Sequence, residues 1–378
     1  MRILFLVRVL NRGGAERQLV AVAAGLRRAG HDVGVAVFYR GGPLEDELRP
    51  ADVAVHDLRK RGRWDVSFLA RLVRLVREVR PHVLHAYAPV PNLVAGAARP
   101  LLPPLKIVWG VRSALADLGP YGPVARLVYG LERKGSALAD AVIANSEAAR
   151  RVVVAAGMDA RKLRVIGNGV DCDAFRPDPV AGGRLRRAWH VPDGAVVVGL
   201  VGRLDPVKDH ALFLRAAARV AEARGDARFV CVGGGDPAYA RALARTADAL
   251  GIAARVLWTG EWRVDRAVYC AFDVAVLSSG AGESFPNVLV EAMACSTPCV
   301  ATASGDVVEI LGDTGEVVPP GDPEALARAI LDVLERRAAA GGAPGARARD
   351  RVLRRYSVAE LVRRTESALE EVVSARRE

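Results

Sequence analysis

The chain has 378 residues, of which 51% are hydrophobic and 26% charged, and its net charge is +11. These proportions exclude a disordered chain, and the length exceeds one ordinary core and fits two domains. No apolar run reaches the ~18 residues of a spanning helix.

The opening MRILFLVRVL carries Arg8 inside its apolar run and has no small-residue cleavage site after it, so it reads as a buried first strand and not a signal peptide. After the apolar run 2–8 comes a Gly-rich loop, Asn11 to Glu16. A helical pattern follows from Ala15 to Arg28, then a strand from Asp32 to Phe38. Val53–Leu58 is the next strand. The basic run Arg59 to Arg63 and Trp64 lead into Phe68–Arg80 (FLARLVRLVREVR), a basic amphipathic helix. Its ordinary role is to pack an apolar stripe on a sheet. Its alternative is peripheral contact with an anionic membrane. Further strands are expected at His82–His85, Lys106–Val108, Ala141–Ala144 and Arg164–Ile166. The polar stretch Asp178–Asp193, with Pro179 and Pro192, reads as a linker.

Residues 195–233 then repeat the opening plan. Ala195–Val201 is an apolar run, Gly202–Asp209 (GRLDPVKD) a loop, His210–Glu222 a helix and Ala227–Val232 a strand. Later strands are Arg255–Trp258, Val274–Leu277 and Cys299–Ala301. Ala338–Ala348 interrupts the pattern before a last amphipathic helix, about Ser357 to Val373. Strands alternating with helices predict an α/β fold of parallel sheets covered on both faces. Two such openings predict two doubly wound domains, 1–178 and 179–356, with 357–378 a terminal helix. Ligands of such sheets bind at the carboxyl ends of strands, and the cleft between the domains is the expected site.

The charge is uneven. Residues 1–180 hold 28 Lys+Arg against 17 Asp+Glu, and the remainder is balanced at 26 each. A basic half suits an anionic partner. A nucleic-acid-binding protein is the competing class for a chain of pI ≈ 9.9, but no recognised motif or aromatic-studded basic strand face accompanies the charge. The five cysteines, Cys172, Cys231, Cys270, Cys295 and Cys299, include no C-x-x-C. All but Cys172 have apolar or small neighbours. They read as free thiols of a reducing, cytoplasmic compartment, and no metal site is expected from them.

Chemistry concentrates in a few loops. Arg203 and Lys208 follow a buried strand and precede a helix, a setting for a phosphate or diphosphate. Lysine is scarce here, with five in all, which gives Lys208 weight. Gly13-Gly14 occupies the matching loop of the first half, where paired glycines let amides approach an anion. Neither this pair nor Gly233-Gly234-Gly235 has the G-x-G-x-x-G spacing of a dinucleotide site. In GESFPNVLVEAMA, Pro286 fits a helix start. Glu283 then lies in the loop before the helix and Glu291 about two turns in. The amides of Asn287, Val288 and Leu289 can donate to phosphate. The alternative is an exposed acid and a dipole-favoured one.

The E-x7-E stretch, together with GRLDPVKDH, Pro298-Cys-Val-Ala301, Ala144-Asn145-Ser146, Gly167-Asn-Gly-Val-Asp171 and Val318-Pro-Pro-Gly-Asp322, closely resembles the GT-B glycosyltransferases of family 4. The resemblance runs over nearly the whole chain. It implies two Rossmann-like domains facing across a cleft, the terminal helix packing back on the first domain. It implies a retaining transferase in cell-surface polysaccharide or glycoconjugate synthesis, acting from a nucleoside-diphosphate sugar, a UDP-sugar favoured and a GDP-sugar the alternative, on a glycan or lipid-linked acceptor. It implies no required metal and no cofactor. By resemblance Arg203 and Lys208 hold the donor diphosphate, Glu291 the ribose and Glu283 the donor sugar, while Gly13-Gly14 closes over the phosphates. His85 is the catalytic candidate of the first domain, with core packing as its alternative. Arg112 and Tyr87 are candidate acceptor contacts. The chain departs from the family at Ser284, where many relatives carry glycine, at Tyr87, where many carry histidine, and at Ser304-Gly-Asp306, which replaces a commoner Asp-x-Gly-Gly. A nucleotide-sugar epimerase or hydrolase of the same fold is the alternative enzyme.

Overall fold

The computed structural model describes residues 1–62, 64–114, 122–280, 282–339 and 345–375. They form two compact units, Met1–Gly169 with Val358–Glu378, and Val170–Ser357.

The first unit runs β1 (Arg2–Val7), α1 (Gly14–Arg28), β2 (Asp32–Val37), α2 (Glu45–Leu48), β3 (Ala54–Asp57), α3 (Ser67–Val79), β4 (Val83–Tyr87), α4 (Pro89–Ala98), β5 (Lys106–Val111), α5 (Pro123–Lys134), β6 (Ala141–Ala144), α6 (Glu147–Ala155) and β7 (Leu163–Val165). Its strands form one sheet in the order β3-β2-β1-β4-β5-β6-β7, every pair parallel. The second unit runs α7 (Pro179–Ala188), β8 (Val196–Val201), α8 (His210–Ala223), β9 (Ala227–Val232), α9 (Pro237–Ala249), β10 (Val256–Trp258), α10 (Arg266–Cys270), β11 (Val274–Leu277), α11 (Asn287–Ala294), β12 (Cys299–Thr302), α12 (Val307–Leu311), β13 (Glu316–Val318), α13 (Pro323–Ala339) and α14 (Ala346–Arg355). Its sheet, also parallel, has the order β10-β9-β8-β11-β12-β13.

Each sheet is buried on both faces, so its central strands read as unbroken apolar runs and not as alternating ones. β8 (VVVGLV) is buried from its second residue onward. Strand order reverses between β1 and β4 in the first unit and between β8 and β11 in the second. The loops that leave those four strands are where a doubly wound sheet binds ligands.

α15 (Val358–Ser374) belongs to the first unit. Leu361, Val362, Ala368 and Leu369 join the core beneath β1 and β2. A polar tie accompanies them. The Met1 amine donates to His31 Nδ1 at 2.9 Å, which leaves the proton on Nε2, and Nε2 donates to Glu366 at 2.7 Å.

Three expectations need correction. The stretch 178–193 is not a linker. α7 occupies most of it, capped by Asp178, whose carboxylate accepts from the Ala181 amide at 2.9 Å, with Pro179 at the first turn. A proline there is pre-organised for the helix and does not break it. The boundary between units lies at Gly169/Val170, not at 178/179, because the intervening segment is held by the second unit. The Arg349 guanidinium donates to Phe175 O at 3.1 Å, to Cys172 O at 3.3 Å and to Ala294 O at the end of α11. Cys270 is half-buried with a polar contact, its Sγ accepting from the Asp178 amide at 3.2 Å. The edge strand β13, three residues long, went unseen in the sequence, and part of the expected interruption at 338–348 lies outside the described residues.

α3 turns Phe68, Leu72, Val73 and Val76 inward. Its apolar stripe is therefore core, and its exposed residues are Ser67, Ala70, Arg74, Arg77 and Glu78. No helix among the described residues is long and apolar enough to cross a membrane.

Arg349 makes a test of this domain boundary. Replacing it with Met keeps the aliphatic stem and removes three hydrogen bonds from a charged donor to half-buried carbonyls. Such bonds contribute roughly 1.5–3 kcal/mol each when intact, and partial exposure lowers the total. Arg349→Met should destabilise the second unit by about 2–3 kcal/mol in urea unfolding. Arg349→Lys should recover only part of this, since one ammonium cannot span three carbonyls.

Candidate functional site

The second unit places its chemistry at the carboxyl ends of β8 and β11. Arg203 and Lys208 leave β8, while Ser278, Ser279 and Glu283 follow β11. Lys208 Nζ bonds the Glu283 carboxylate directly. Ser279 Oγ donates to the same carboxylate oxygen at 2.7 Å, and Ser278 Oγ donates to Lys208 O at 2.8 Å. Thr302, at the end of β12, donates to Ser279 O at 2.6 Å. Two charges taken partly out of water are thus fixed by hydroxyls on a rigid strand end. The lysine side chain is 25% exposed and the glutamate 9%. Arg203 reaches out instead. Its guanidinium is 75% exposed and rests on Asp205 at 2.7 Å. Both cations stand ahead of α8, whose first residue, His210, is buried. Burial, and then the Lys208 charge, lower its pKa to about 4, so it adds no cation at neutral pH.

The loop that carries Arg203 is backed by the three glycines after β9. Gly202 N donates to Val232 O at 2.9 Å and Leu204 N to Gly234 O at 2.8 Å. A Cβ on Gly233 would lie 2.2 Å from Gly202 O, and one on Gly235 2.4 Å from Leu204 O. These glycines serve backbone-to-backbone packing and not a dinucleotide.

Glu291 is the fifth residue of α11, little more than one turn in. It is buried, and its Oε2 accepts from Tyr269 Oη at 2.5 Å. Tyr269 lies on α10, and nothing in the local sequence pointed to it. The Leu289 amide is already used, donating to Pro286 O at 3.1 Å, so of the three helix-start amides it is not one left for a phosphate. Asn287 and Val288 are half-buried at the helix start. Ser284 and Gly305 explain the departure at Ser304-Gly-Asp306. The Asp306 amide donates to Ser284 O at 3.1 Å, and Gly305, at φ +61°, brings its backbone where a Cβ would strike Glu283 O at 2.6 Å. That loop fixes the carbonyls beside Glu283.

The first unit has a matching strand-end group. Gly13 is the N-cap of α1, and Gly14 opens the helix. A Cβ on Gly13 would meet the Glu16 carboxylate at 2.1 Å, so this acid sits over the loop amides. Gln18 ties α1 to the loop after β7, exchanging bonds of 2.9 and 2.8 Å with Gly169. His85 and Tyr87 lie in β4. His85 is fully buried between Phe5 and Tyr87, ring centroids 5.3 and 4.8 Å away. Burial, and then Arg112, hold its pKa well below the usual value. The structure thus packs His85 in the core, the alternative role. Arg112 stacks its guanidinium 4.1 Å from the Tyr87 ring centroid, a cation–π contact. Tyr87 Oη, Arg112 Nε and both His85 nitrogens are buried without a partner among the described residues. Such orphaned groups cluster where a ligand or water completes them. Ala88, the next residue, has φ +74°, ψ +166°, strain of a kind found at functional sites.

A further group was not foreseen. Asn92 on α4 donates to Gly110 O at 3.1 Å and to Glu132 at 2.6 Å, and accepts from Gly110 N at 3.3 Å. Gly110 sits between Trp109 and the strand end that carries Arg112. Glu132 is only 2% exposed, and burial raises its pKa to about 7.

Family models match both units, Glycosyltransferase Family 4 over residues 12–174 and Glycosyl transferases group 1 over residues 195–336. A GDP-mannose-dependent alpha-(1-6)-phosphatidylinositol monomannoside mannosyltransferase of Mycolicibacterium smegmatis is 35% identical over 75% of this chain and 76% of its own length. The chain belongs to glycosyltransferase family 4. It is a hexosyltransferase-type enzyme of GT-B fold. A D-inositol 3-phosphate glycosyltransferase of Geodermatophilus obscurus is 34% identical over 72% of this chain, which spans 64% of that protein. Among solved structures, Anabaena Alr3699/HepE in complex with UDP has a TM-score of 0.85 at 24% identity, covering 98% of this chain and 100% of that one. Sucrose-phosphate synthase of Thermosynechococcus elongatus has a TM-score of 0.81 at 21% identity, with both chains fully covered.

Glu132 gives this glycosyltransferase a pH signature. A carboxyl whose folded pKa is raised binds its proton more tightly folded than unfolded. Folding is therefore unpenalised below the unfolded value near 4.5 and increasingly penalised as pH rises toward 7. The full penalty is on the order of 3 kcal/mol. Glu132→Gln should be the more stable protein above pH 7, and the gap should close by pH 4.5. Denaturant unfolding across that range measures it.

Proposed function

We propose that the enzyme moves a hexose from a nucleoside-diphosphate sugar to a hydroxyl of a glycan or lipid-linked acceptor, with retention at the anomeric carbon and without a required metal. The observation that carries this reading is the Lys208–Glu283 pair held at the β8/β11 reversal, with Arg203 beside it. Two cations at that strand end suit a diphosphate. When the glycosidic bond to phosphate breaks, negative charge grows on the leaving diphosphate, and cations already in place stabilise it. An arriving phosphate competes with Glu283 for Lys208. As it does so, the carboxylate becomes available to sugar hydroxyls, and Ser279 keeps it in position. Glu291 receives the ribose, its second oxygen held by Tyr269.

The M. smegmatis relative is named for GDP-mannose, so GDP-mannose is the donor we place first and a UDP-sugar second. The names of both curated relatives contain an inositol group carrying phosphate, which supports an acceptor of that polar character. In the first unit the orphaned groups around Tyr87 and Arg112 are assigned to the acceptor side, with His85 positioning Tyr87 from within the core.

Thermal unfolding with GDP, UDP, ADP, dTDP and CMP in chelator tests the donor half. A nucleotide at 100 times its dissociation constant adds about 2.7 kcal/mol of stability. One of them should shift the transition, and Arg203→Ala or Lys208→Ala should abolish the shift. Turnover with the matching sugar should fall by about 10²–10³-fold in Arg203→Ala, since a charge-stabilising donor is lost. Silence from all five nucleotides would overturn the donor assignment. Tyr269→Phe should weaken nucleotide binding by about tenfold while leaving kcat within a few-fold, since it releases one bond to a ribose ligand and touches no reacting atom. The one-bond C1–H1 coupling at the product's anomeric carbon, compared with that of the donor sugar, decides retention.

A further inference from the structure

The first unit has a second feature, at the opposite end of its sheet from Tyr87 and Arg112. A cleft of about 640 Å³ is lined by Arg2, Arg77, Arg80, His82 and Lys106, over Pro81, Pro103, Pro104, Leu105 and Val373. Arg2, His82 and Lys106 stand at the starts of β1, β4 and β5. The five residues of rise along β1 put this cleft about 17 Å from the strand ends that carry Gly13 and Tyr87.

Four permanent cations and a histidine meet here, and no carboxylate lines the cleft among the described residues. Other arginines of the molecule are paired with carboxylates, as in Arg27 with Asp52, Arg99 with Asp140 and Arg186 with Asp273. Arg2, Arg77, Arg80 and Lys106 make no ion pair among the described residues. Three of the four rest on backbone carbonyls: Arg2 Nε donates to Arg80 O at 2.7 Å, Arg77 to Leu101 O at 3.4 Å and Lys106 Nζ to Ala375 O at 2.8 Å. His82 Nδ1 accepts from the Arg2 amide at 2.8 Å, so its free proton sits on Nε2. The cations are held in place without being neutralised. That arrangement costs like-charge repulsion in the empty protein and is relieved by an anion of more than one charge. Proline and leucine surfaces beside the cations accommodate a carbon skeleton attached to it.

We infer that this cleft binds an organic phosphate, separately from the donor and acceptor groups. The same chemistry is offered by a phospholipid headgroup and by a soluble phosphate ester. The test uses the full chain carrying Arg203→Ala and Lys208→Ala, so that the donor site does not report. Inorganic pyrophosphate is titrated by calorimetry. Separately, the protein is sedimented with phosphatidylcholine vesicles with and without phosphatidic acid. Binding of pyrophosphate without vesicle recruitment supports the cleft with a soluble ligand. Recruitment to phosphatidic acid vesicles, competed by pyrophosphate, supports it with a lipid headgroup. In either case Arg77→Ala and Lys106→Ala should each weaken binding about tenfold, while Arg219→Ala, an exposed cation of the second unit, should not. Circular dichroism checks that each variant is folded. No binding of either probe, or binding unchanged in the Arg77 and Lys106 variants, overturns the proposal.

Discussion

A parallel sheet covered by helices on both faces has no room for charge except at the ends of its strands. Everything polar in this glycosyltransferase follows from that constraint. The interior strands are filled by valine, leucine, isoleucine and alanine, and their backbone groups are used by neighbouring strands. Side chains that must meet a charged ligand therefore crowd into the loops where strand order reverses, after β1 and β4 in one unit and after β8 and β11 in the other. Ser278 and Ser279 are anchored one and two residues beyond β11, so the hydroxyls that orient Lys208 and Glu283 inherit the precision of the strand.

The Lys208–Glu283 pair balances two charges against each other. Each charge satisfies the other, which lets both sit partly out of water. Removing either alone would leave the other half-buried and unpaired. On the proposed donor reading, a diphosphate offers the lysine a stronger partner and frees the glutamate for sugar hydroxyls. Arg203 needs no such arrangement, because it is exposed and water already solvates it.

What was legible in the sequence follows from distance along the chain. Arg203, Lys208, Glu283 and Glu291 stood out because strand, loop and helix follow one another within short windows, and the loop residues could be read against that frame. Tyr269 could not be found this way, since its partner Glu291 lies 22 positions away on another helix. The Asn92–Glu132 contact, 40 positions apart, was hidden for the same reason. The error at 178–193 was of a different kind. Two prolines and many charges resemble a linker by composition, whereas Asp178 followed by Pro179 is a helix start by position. β13 was missed because Glu316–Val318 opens on a glutamate and runs directly into Pro319-Pro320, which reads as loop. His85 was legible as a strand residue. Its role was not, since a histidine that packs on Phe5 and one that faces a ligand occupy the same place in an apolar run.

The two strand-end clusters treat their cations differently. In the second unit Arg203 and Lys208 are matched by Asp205 and Glu283, each acid within 2.7 Å or closer. On the proposed donor reading, an arriving diphosphate exchanges partners with those acids. In the first unit Arg2, Arg77 and Lys106 rest on carbonyls, with no ion pair among the described residues. On the inference drawn above, an organic phosphate there would displace water and not a contacting carboxylate of the described residues. Partner exchange suits a site where substrate turns over, and cations without a carboxylate partner suit a ligand that is held.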